Sequence, residues 1–132
     1  MKQIPVVAAV LWDGNRFLAS KRPEGKARER QWEFLGGKVE PGETEEEALI
    51  RECRKELGVT VEVGKPLIRL EHSYPDVQIR LTAYEARITE GTPVPLEHEQ
   101  IRWVTAEEAE ELDFCPADRD ILAMIKQSKE NA

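Results

Sequence analysis

Glu52 and Glu56 are the residues of this sequence whose type and spacing point most directly to chemistry. They lie four positions apart in a segment rich in charged residues. On a helix, this spacing makes the two carboxylates neighbours. Like charges so close destabilise a bare helix slightly, whereas a divalent cation would bind between them, because hard cations prefer carboxylate oxygens. The pair therefore predicts a metal site, and a solvated acidic helix face is the alternative.

A glycine-containing loop precedes these glutamates. Residues 37–44 nearly match the phosphate-binding pattern G-x-x-x-x-G-K-[ST], except that Glu43 occupies the lysine position. A carboxylate cannot replace the cation that contacts phosphates in such a loop. The opposite arrangement is predicted, in which carboxylates bind Mg²⁺ and Mg²⁺ binds the phosphates. The segment from Gly37 to Val59 is thus interpreted as a glycine turn and a metal-binding helix that together hydrolyse a phosphoanhydride.

A helix must position the two glutamates, and local signals mark both of its ends. Thr44 and Glu47 form a T-x-x-E capping box, which predicts a helix that begins near Glu45, and Gly58 predicts its end. At about 100° per residue, the helix has two distinct sides. The core stripe is predicted to contain Leu49, Ile50, Cys53 and Leu57. The other side is predicted to contain Glu45, Ala48, Glu52, Lys55 and Glu56.

In the rest of the chain, the apolar runs and the turn and capping signals predict an α+β fold with a mixed central sheet. The apolar run at residues 4–12 is typical of a strand buried on both faces, and a shift in alternation after Ala83 indicates a bulge. A second capping box, Thr105 with Glu108, and Pro116 predict two further helices. Further strands are predicted at residues 17–21, 32–35, 59–63, 77–88 and 101–104, and the last helix is predicted to run to about Gln127.

Length and composition restrict the class of protein. The chain has 132 residues, which predicts one domain over residues 1–132, and its net charge of −7 disfavours binding to a nucleic acid polymer. The apolar run at residues 4–12 is too short to span a membrane, and no signal-peptide cleavage pattern follows it. Cys53 and Cys115 have no metal-type spacing, so free buried thiols are predicted. A cytoplasmic protein is therefore expected.

The spacing of Gly37, Glu43 and residues 51–59 resembles the Nudix signature G-x5-E-x7-R-E-U-x-E-E-x-G-U, where U is a bulky aliphatic residue. The resemblance extends outward through residues 32–38, Glu97 and residues 114–118, which are similar to segments of MutT-type members. It implies a Nudix-type α/β/α sandwich with a mixed central sheet. It also implies hydrolysis of a nucleoside triphosphate to the monophosphate and pyrophosphate.

The resemblance implies a role for each matching residue. Glu52 would be the general base or a metal ligand, Arg51 would help to orient it, and Glu43 would support the loop–helix junction or bind a further metal. The metal would be Mg²⁺, and Mn²⁺ is the alternative. Its ligands would be Glu56, Glu97, the carbonyl of Gly36 and, in its second role, Glu52. Substrate contacts would come from Arg22 at a phosphate and from Phe34, Leu35, Tyr74 and Asp118 around the base.

Two positions depart from the family pattern. Lys55 stands where the signature has a glutamate, so fewer or weaker metals are expected, whereas Cys53 at an aliphatic position should be tolerated. Members that select 8-oxo-dGTP commonly carry Asn at the Asp118 position. An ionised Asp only accepts hydrogen bonds, and it would repel the O6 atom of guanine unless protonated.

The expected substrate is 8-oxo-dGTP, which implies sanitation of the nucleotide pool. CTP or dCTP is the alternative substrate, and a catalytically weak Nudix module that binds nucleotides is the alternative class. The expected partner is a small-molecule nucleotide, with no nucleic acid polymer and no membrane, and the protein is expected to be a monomer or a homodimer. His72 and His98 have no metal-type spacing and are predicted to lie at the surface.

Overall fold

The computed structural model describes residues 3–130 and contains the predicted mixed sheet with helices packed on it. The strands are β1 (Gln3–Asp13), β2 (Arg16–Lys21), β3 (Trp32–Glu33), β4 (Leu35–Lys38), β5 (Thr60–Ser73), β6 (Gln78–Glu90) and β7 (Gln100–Val104). The helices are α1 (Glu45–Leu57), α2 (Ala106–Ala109) and α3 (Pro116–Glu130). The predicted α+β class is confirmed.

Strand β1 is the centre of the sheet. It pairs in parallel with β6 and antiparallel with β2 and β4. The path of the sheet is β3-β2-β1-β6-β5, with β4 joined to β1 and β7 joined to β2. Successive side chains of a strand point to opposite faces, so β1 supplies residues to both faces at the centre of the sheet.

Two hydrophobic cores lie on opposite faces of the sheet. Val7, Ala9 and Leu11 of β1 pack with α1, and Ala8 and Val10 pack in the core that contains α3. All five residues are buried, which confirms that β1 is covered on both faces. The layers form the expected α/β/α sandwich.

The ends of α1 follow the capping signals in the sequence. The hydroxyl of Thr44 accepts a hydrogen bond from the backbone N–H of Glu47, and the Glu47 carboxylate accepts one from the backbone N–H of Thr44. Gly58 ends the helix with a φ of 72°, a left-handed conformation that glycine adopts without strain. The predicted start and end of the helix are confirmed.

Several local expectations are wrong. The predicted strand at residues 32–35 is two strands, because Phe34 separates β3, which pairs with β2, from β4, which pairs with β1. Gly36 and Gly37 therefore lie in a strand rather than in a turn. Ile50 is exposed, whereas Ala48 is buried, so the buried side of α1 is rotated relative to the predicted core stripe.

The irregularity predicted in the sheet lies on the partner strand. The register between β5 and β6 shifts twice near Pro66, and the extra residues belong to β5. Over residues 78–86, β6 pairs with β1 without a shift. Its hydrophobic pattern changes after Ala83 because Leu81 and Ala83 face the core that contains α3, whereas Tyr84 and Ala86 face the core that contains α1.

The last helix continues beyond its predicted end. It runs to Glu130 rather than to about Gln127. Among the helices of residues 3–130, none has the length and apolar character that crossing a membrane requires.

Candidate active site

A cavity of about 320 Å³ brings together most of the predicted site residues. Its walls come from β1, β4, β6, the second half of α1, the loop before β7 and the start of α3. The predicted residues that line it are Arg22, Phe34, Gly36, Glu52, Glu56, Tyr74, Glu97 and Asp118. Residues far apart in the sequence thus share one site, and the α1 carboxylates and Asp118 line the same cavity.

The structure does not bring Leu35 to this cavity, which corrects its assignment to the base contacts. Its side chain is wholly buried and packs in the α1-side core with Val7 and Leu49. The neighbouring Phe34 belongs to the opposite core and does line the cavity. The two side chains lie on opposite faces of the sheet, as expected for adjacent residues in extended chain.

Glu52 is held against the backbone of β4. It is only 6% exposed, and the position that a Cβ atom on Gly37 would occupy lies 2.6 Å from Glu52 Oε2. Two heavy atoms cannot approach that closely without displacement. Gly37 is therefore required by the close approach of α1 to β4, which places the Glu52 carboxylate beside the cavity.

We expect Gly37→Ala to lower kcat by about 10- to 100-fold while the protein remains folded, because displacement of a general base, the role predicted for Glu52, costs about 10²-fold. The added methyl group meets the end of a flexible side chain, Glu52, rather than backbone. Steady-state kinetics and the melting temperature would check this expectation. Gly64→Ala is the matched control, since Gly64 also lies in a strand without a positive φ, its added Cβ meets no atom closer than 3.1 Å, and it does not line the cavity. Normal activity in Gly37→Ala would contradict the close approach.

Arg51 connects Glu52 to the loop that precedes α1. Its guanidinium donates to both oxygens of Glu43, at 2.7 and 2.9 Å, and to Glu52 Oε1 at 2.5 Å. It also donates to the carbonyl of Lys38. These bonds to Arg51, together with the N–H of Glu40, lower the pKa of Glu43 to about 2. With both oxygens used, Glu43 has the contacts of a residue that supports the loop–helix junction.

Glu56 is a buried carboxylate without a full set of partners. It is 8% exposed, and among the described residues its Oε2 atom has no hydrogen-bond partner. Burial raises the pKa of Glu56 well above its usual range, and the adjacent Glu52 raises it further. Two crowded carboxylates with an open oxygen make a donor set that a divalent cation would stabilise.

His98 lies inside the protein, so its predicted surface position is wrong. It is 9% exposed, with Nε2 2.9 Å from Glu33 Oε2 and Nδ1 3.7 Å from Glu56 Oε1. Glu33 also accepts a hydrogen bond from Arg22. These residues connect the predicted phosphate contact to the α1 carboxylates. The run Glu97-His98-Glu99 was the only signal in the sequence, and nothing local linked His98 to Glu33.

A second polar group contains Asp118. Its Oδ1 accepts a hydrogen bond from the backbone N–H of Phe34 at 3.0 Å, and its side chain is buried. Burial, with a smaller effect from the charge of Glu33, raises the pKa of Asp118 to about 8. Asp118 is therefore mostly protonated at neutral pH. In the same cavity, the hydroxyl of Tyr74 accepts a hydrogen bond from the backbone N–H of Ala117, and the Arg28 guanidinium lies 3.9 Å from the centroid of the Tyr74 ring.

Glu33, Cys115 and Asp118 offer ligand atoms within 4.8 Å of one another. This group differs from the predicted metal ligands of α1. Burial raises the pKa of Cys115 to about 12, so both Cys115 and Asp118 keep their protons at neutral pH. The Glu33 carboxylate already bonds to Arg22 and His98, and Asp118 Oδ1 already accepts from the N–H of Phe34, whereas a protonated carboxyl can also donate to a ligand. The geometry therefore favours contact with a polar organic group at this position.

Comparison with known proteins gives one consistent family. The NUDIX domain sequence pattern matches residues 6–124. The chain is 37% identical to the CTP pyrophosphohydrolase of Escherichia coli over 92% of this chain and 90% of that protein. It is 29% identical to the 8-oxo-dGTP diphosphatase of the same organism, over 96% and 99%. The solution structure of the E. coli ORF135 protein superposes with a TM-score of 0.84 at 34% identity, covering 98% and 92% of the two chains.

Proposed function

Because the chain belongs to the NUDIX family of enzymes that act on phosphoanhydride bonds, we propose that it converts 8-oxo-dGTP to the monophosphate and pyrophosphate. One observation carries this proposal. A single cavity joins the carboxylates of Glu52 and Glu56 to the buried, neutral carboxyl of Asp118. The first group suits a metal that binds phosphates, and the second suits hydrogen bonding to a base.

The proposed metal is Mg²⁺, with Mn²⁺ as a substitute. The open, buried oxygen of Glu56 beside Glu52 is the observation that supports a cation here. Glu52, Glu56, Glu97 and the carbonyl of Gly36 would hold it, since all four residues line the cavity. When bound, the metal would screen the phosphates and lower the pKa of a bound water.

Within the protein, Glu52 is the proposed group that takes a proton from the attacking water. Arg51 donates to Glu52 Oε1, and Gly37 leaves room for Oε2, so the carboxylate is fixed from both sides. A positioned carboxylate of this kind contributes about 10²- to 10⁴-fold to the rate. Arg22 would contact a phosphate, although two of its donors already bond to Glu33 and the carbonyl of Ala27.

The neutral carboxyl of Asp118 supports the choice of base. A protonated carboxyl offers one donor and one acceptor side by side. The N7–H and O6 of 8-oxoguanine form the complementary pair, whereas N7 and O6 of ordinary guanine are both acceptors. Asp118 should therefore favour the oxidised base, and Phe34 and Tyr74 line the same cavity.

A panel of nucleotides with Mg²⁺ tests this proposal. We expect kcat/KM for 8-oxo-dGTP to exceed that for dGTP by about 10- to 100-fold, the value of one bidentate base contact. The panel would contain CTP, dCTP, dGTP, 8-oxo-dGTP and ADP-ribose. Equal kcat/KM values for dGTP and 8-oxo-dGTP would contradict the proposed role of Asp118.

A pyrimidine triphosphate is the second candidate substrate. Cytosine presents its N3 acceptor beside its amino donor, and this edge also complements the protonated carboxyl of Asp118. The relative that is 37% identical is named CTP pyrophosphohydrolase. A higher kcat/KM for CTP or dCTP than for 8-oxo-dGTP would replace the leading proposal with this one.

The pH dependence of turnover should reveal the protonation of Asp118. Its pKa is raised to about 8, so the carboxyl loses its donor proton as the pH rises through that value. We expect KM for 8-oxo-dGTP to rise above this pH, because the carboxylate then repels O6. Asp118→Asn keeps a donor and an acceptor at every pH, so its KM should be flatter between pH 6.5 and pH 9.5, values that bracket about 8. If KM changed with pH in the same way in the wild type and in Asp118→Asn, the ionisation would belong to a group other than Asp118.

A further inference from the structure

Lys55 places a positive charge among the carboxylates of the cavity. It lies on α1 between Glu52 and Glu56, and its ammonium Nζ is 3.9 Å from Glu97 Oε2. Among residues 3–130, this is the only salt bridge that either partner makes. We propose that the ammonium of Lys55 has two alternative partners. It pairs with Glu97 in the free enzyme, and it pairs with the phosphate chain of the nucleotide when a metal binds Glu97. The inference rests on the proposed nucleotide hydrolysis.

The first argument is competition for one carboxylate. Glu97 lines the cavity beside Glu56 and is one of the proposed metal ligands. An ammonium and a divalent cation repel each other at a shared carboxylate, so metal binding at Glu97 requires Lys55 to move. The side chain of Lys55 is 56% exposed and has a flexible four-carbon stem, so it can move without disturbing the core.

The second argument is the destination of the displaced ammonium. Lys55 lines the same cavity as Arg22 and Arg28, but those two arginines already pair with Glu33 and Asp76. Lys26 and Lys38 also line the cavity, but only Lys55 lies on α1 between the two carboxylates proposed to bind the metal. A lysine freed from Glu97 has no such competing partner. A nucleoside triphosphate would bring several negative charges into the cavity, and an ammonium on its wall would bind them. Lys55 would then supply positive charge where a further carboxylate would have supplied a metal ligand.

The proposal predicts opposite effects on the two ligands of the enzyme. Lys55→Met keeps the length of the side chain and removes its charge. It should tighten Mn²⁺ binding to the nucleotide-free protein by about 3- to 10-fold, because Glu97 loses its competitor. It should also raise KM for the triphosphate by about 3- to 10-fold, because the phosphates lose a partner. A solvated lysine would produce neither change.

The experiment measures free Mn²⁺ by electron paramagnetic resonance during titration of the nucleotide-free protein, and KM separately. Arg54→Met is the matched control, since Arg54 is exposed on the same helix, contacts Thr60 and does not line the cavity. It should change Mn²⁺ affinity and KM by less than about twofold. The control separates a local effect from the general effect of removing one positive charge.

A double-mutant cycle tests the pairing itself. In the Glu97→Gln background, Lys55→Met should give a smaller gain in Mn²⁺ affinity, because the carboxylate for which the two cations compete is absent. Equal gains in both backgrounds would overturn the proposal. The proposal would also be overturned if Lys55→Met shifted the affinities for Mn²⁺ and for the nucleotide in the same direction. If the wild type hydrolyses no nucleotide, the proposed function fails, whereas the Mn²⁺ titration still reports on Lys55 and Glu97.

Discussion

Glu52→Gln should lower kcat by about 10³-fold while the protein remains folded. Glutamine has nearly the same shape as glutamate but cannot take a proton from water. The amide can still accept a hydrogen bond from Arg51, so the local packing against Gly37 is retained. Steady-state kinetics with 8-oxo-dGTP would measure the loss, and the melting temperature would confirm folding.

Glu46→Gln is the control for this substitution. Glu46→Gln is the same chemical change on the same helix, but Glu46 is exposed in the first turn and does not line the cavity. Its kcat should stay within about twofold of the wild type. If Glu52→Gln retained more than a tenth of the wild-type kcat, Glu52 would not be the general base.

The metal affinity of the same variant separates the two roles proposed for Glu52. A loss of kcat with unchanged Mn²⁺ affinity would assign Glu52 as the general base. A loss of Mn²⁺ affinity in parallel would assign it as a ligand. This distinction is possible because the neighbouring Glu56 still offers its open oxygen to the cation.

Gly36→Ala should prevent stable folding or lower the melting temperature by about 10 °C or more, since overpacking against backbone costs about 3 kcal/mol or more. A Cβ atom at this position would overlap the carbonyl oxygen of Val7 and lie 2.9 Å from Cα of Ala8. Both contacts are backbone atoms of the central strand β1, which pairs with β4 at this position. Thermal unfolding monitored by circular dichroism would measure the effect.

Gly64→Ala is the control for the stability measurement. Gly64 also lies in a strand, but its added Cβ would meet the carbonyl oxygen of Glu85 at 3.1 Å, a contact that a small shift relieves. We expect a loss of less than about 1 kcal/mol there. A similar stability for Gly36→Ala and Gly64→Ala would show that β1 and β4 are not as closely packed at Gly36 as the structure indicates.

The two adjacent glycines should therefore fail in different ways. An alanine at Gly36 meets backbone and should disrupt the sheet, whereas an alanine at Gly37 meets the end of the Glu52 side chain and should reduce turnover. This contrast tests the position of α1 over β4 without a change to any charged residue. Its physical reason is that backbone in a paired strand cannot move far enough to relieve the overlap with the Val7 carbonyl oxygen, whereas a side chain can adopt another rotamer.

The sequence by itself determined the helix that carries the chemistry. Thr44, Glu47 and Gly58 set the ends of α1 through hydrogen bonds between residues only a few positions apart, so a local pattern predicts them. The spacing of Glu52 and Glu56 likewise depends only on helix geometry. The signature spacing from Gly37 to Val59 was sufficient for the family, which the comparisons confirm.

Only the tertiary structure decided what surrounds those carboxylates. The bond between His98 and Glu33 joins residues 65 positions apart, and the bond from Phe34 to Asp118 joins residues 84 positions apart. The register of β4 against β1 decided that Leu35 enters the core and Phe34 the cavity. Local periodicity cannot predict such contacts, because they depend on strand pairing and on burial from several elements at once. That burial keeps Asp118 protonated, and the protonated carboxyl is the basis for the proposed choice of base.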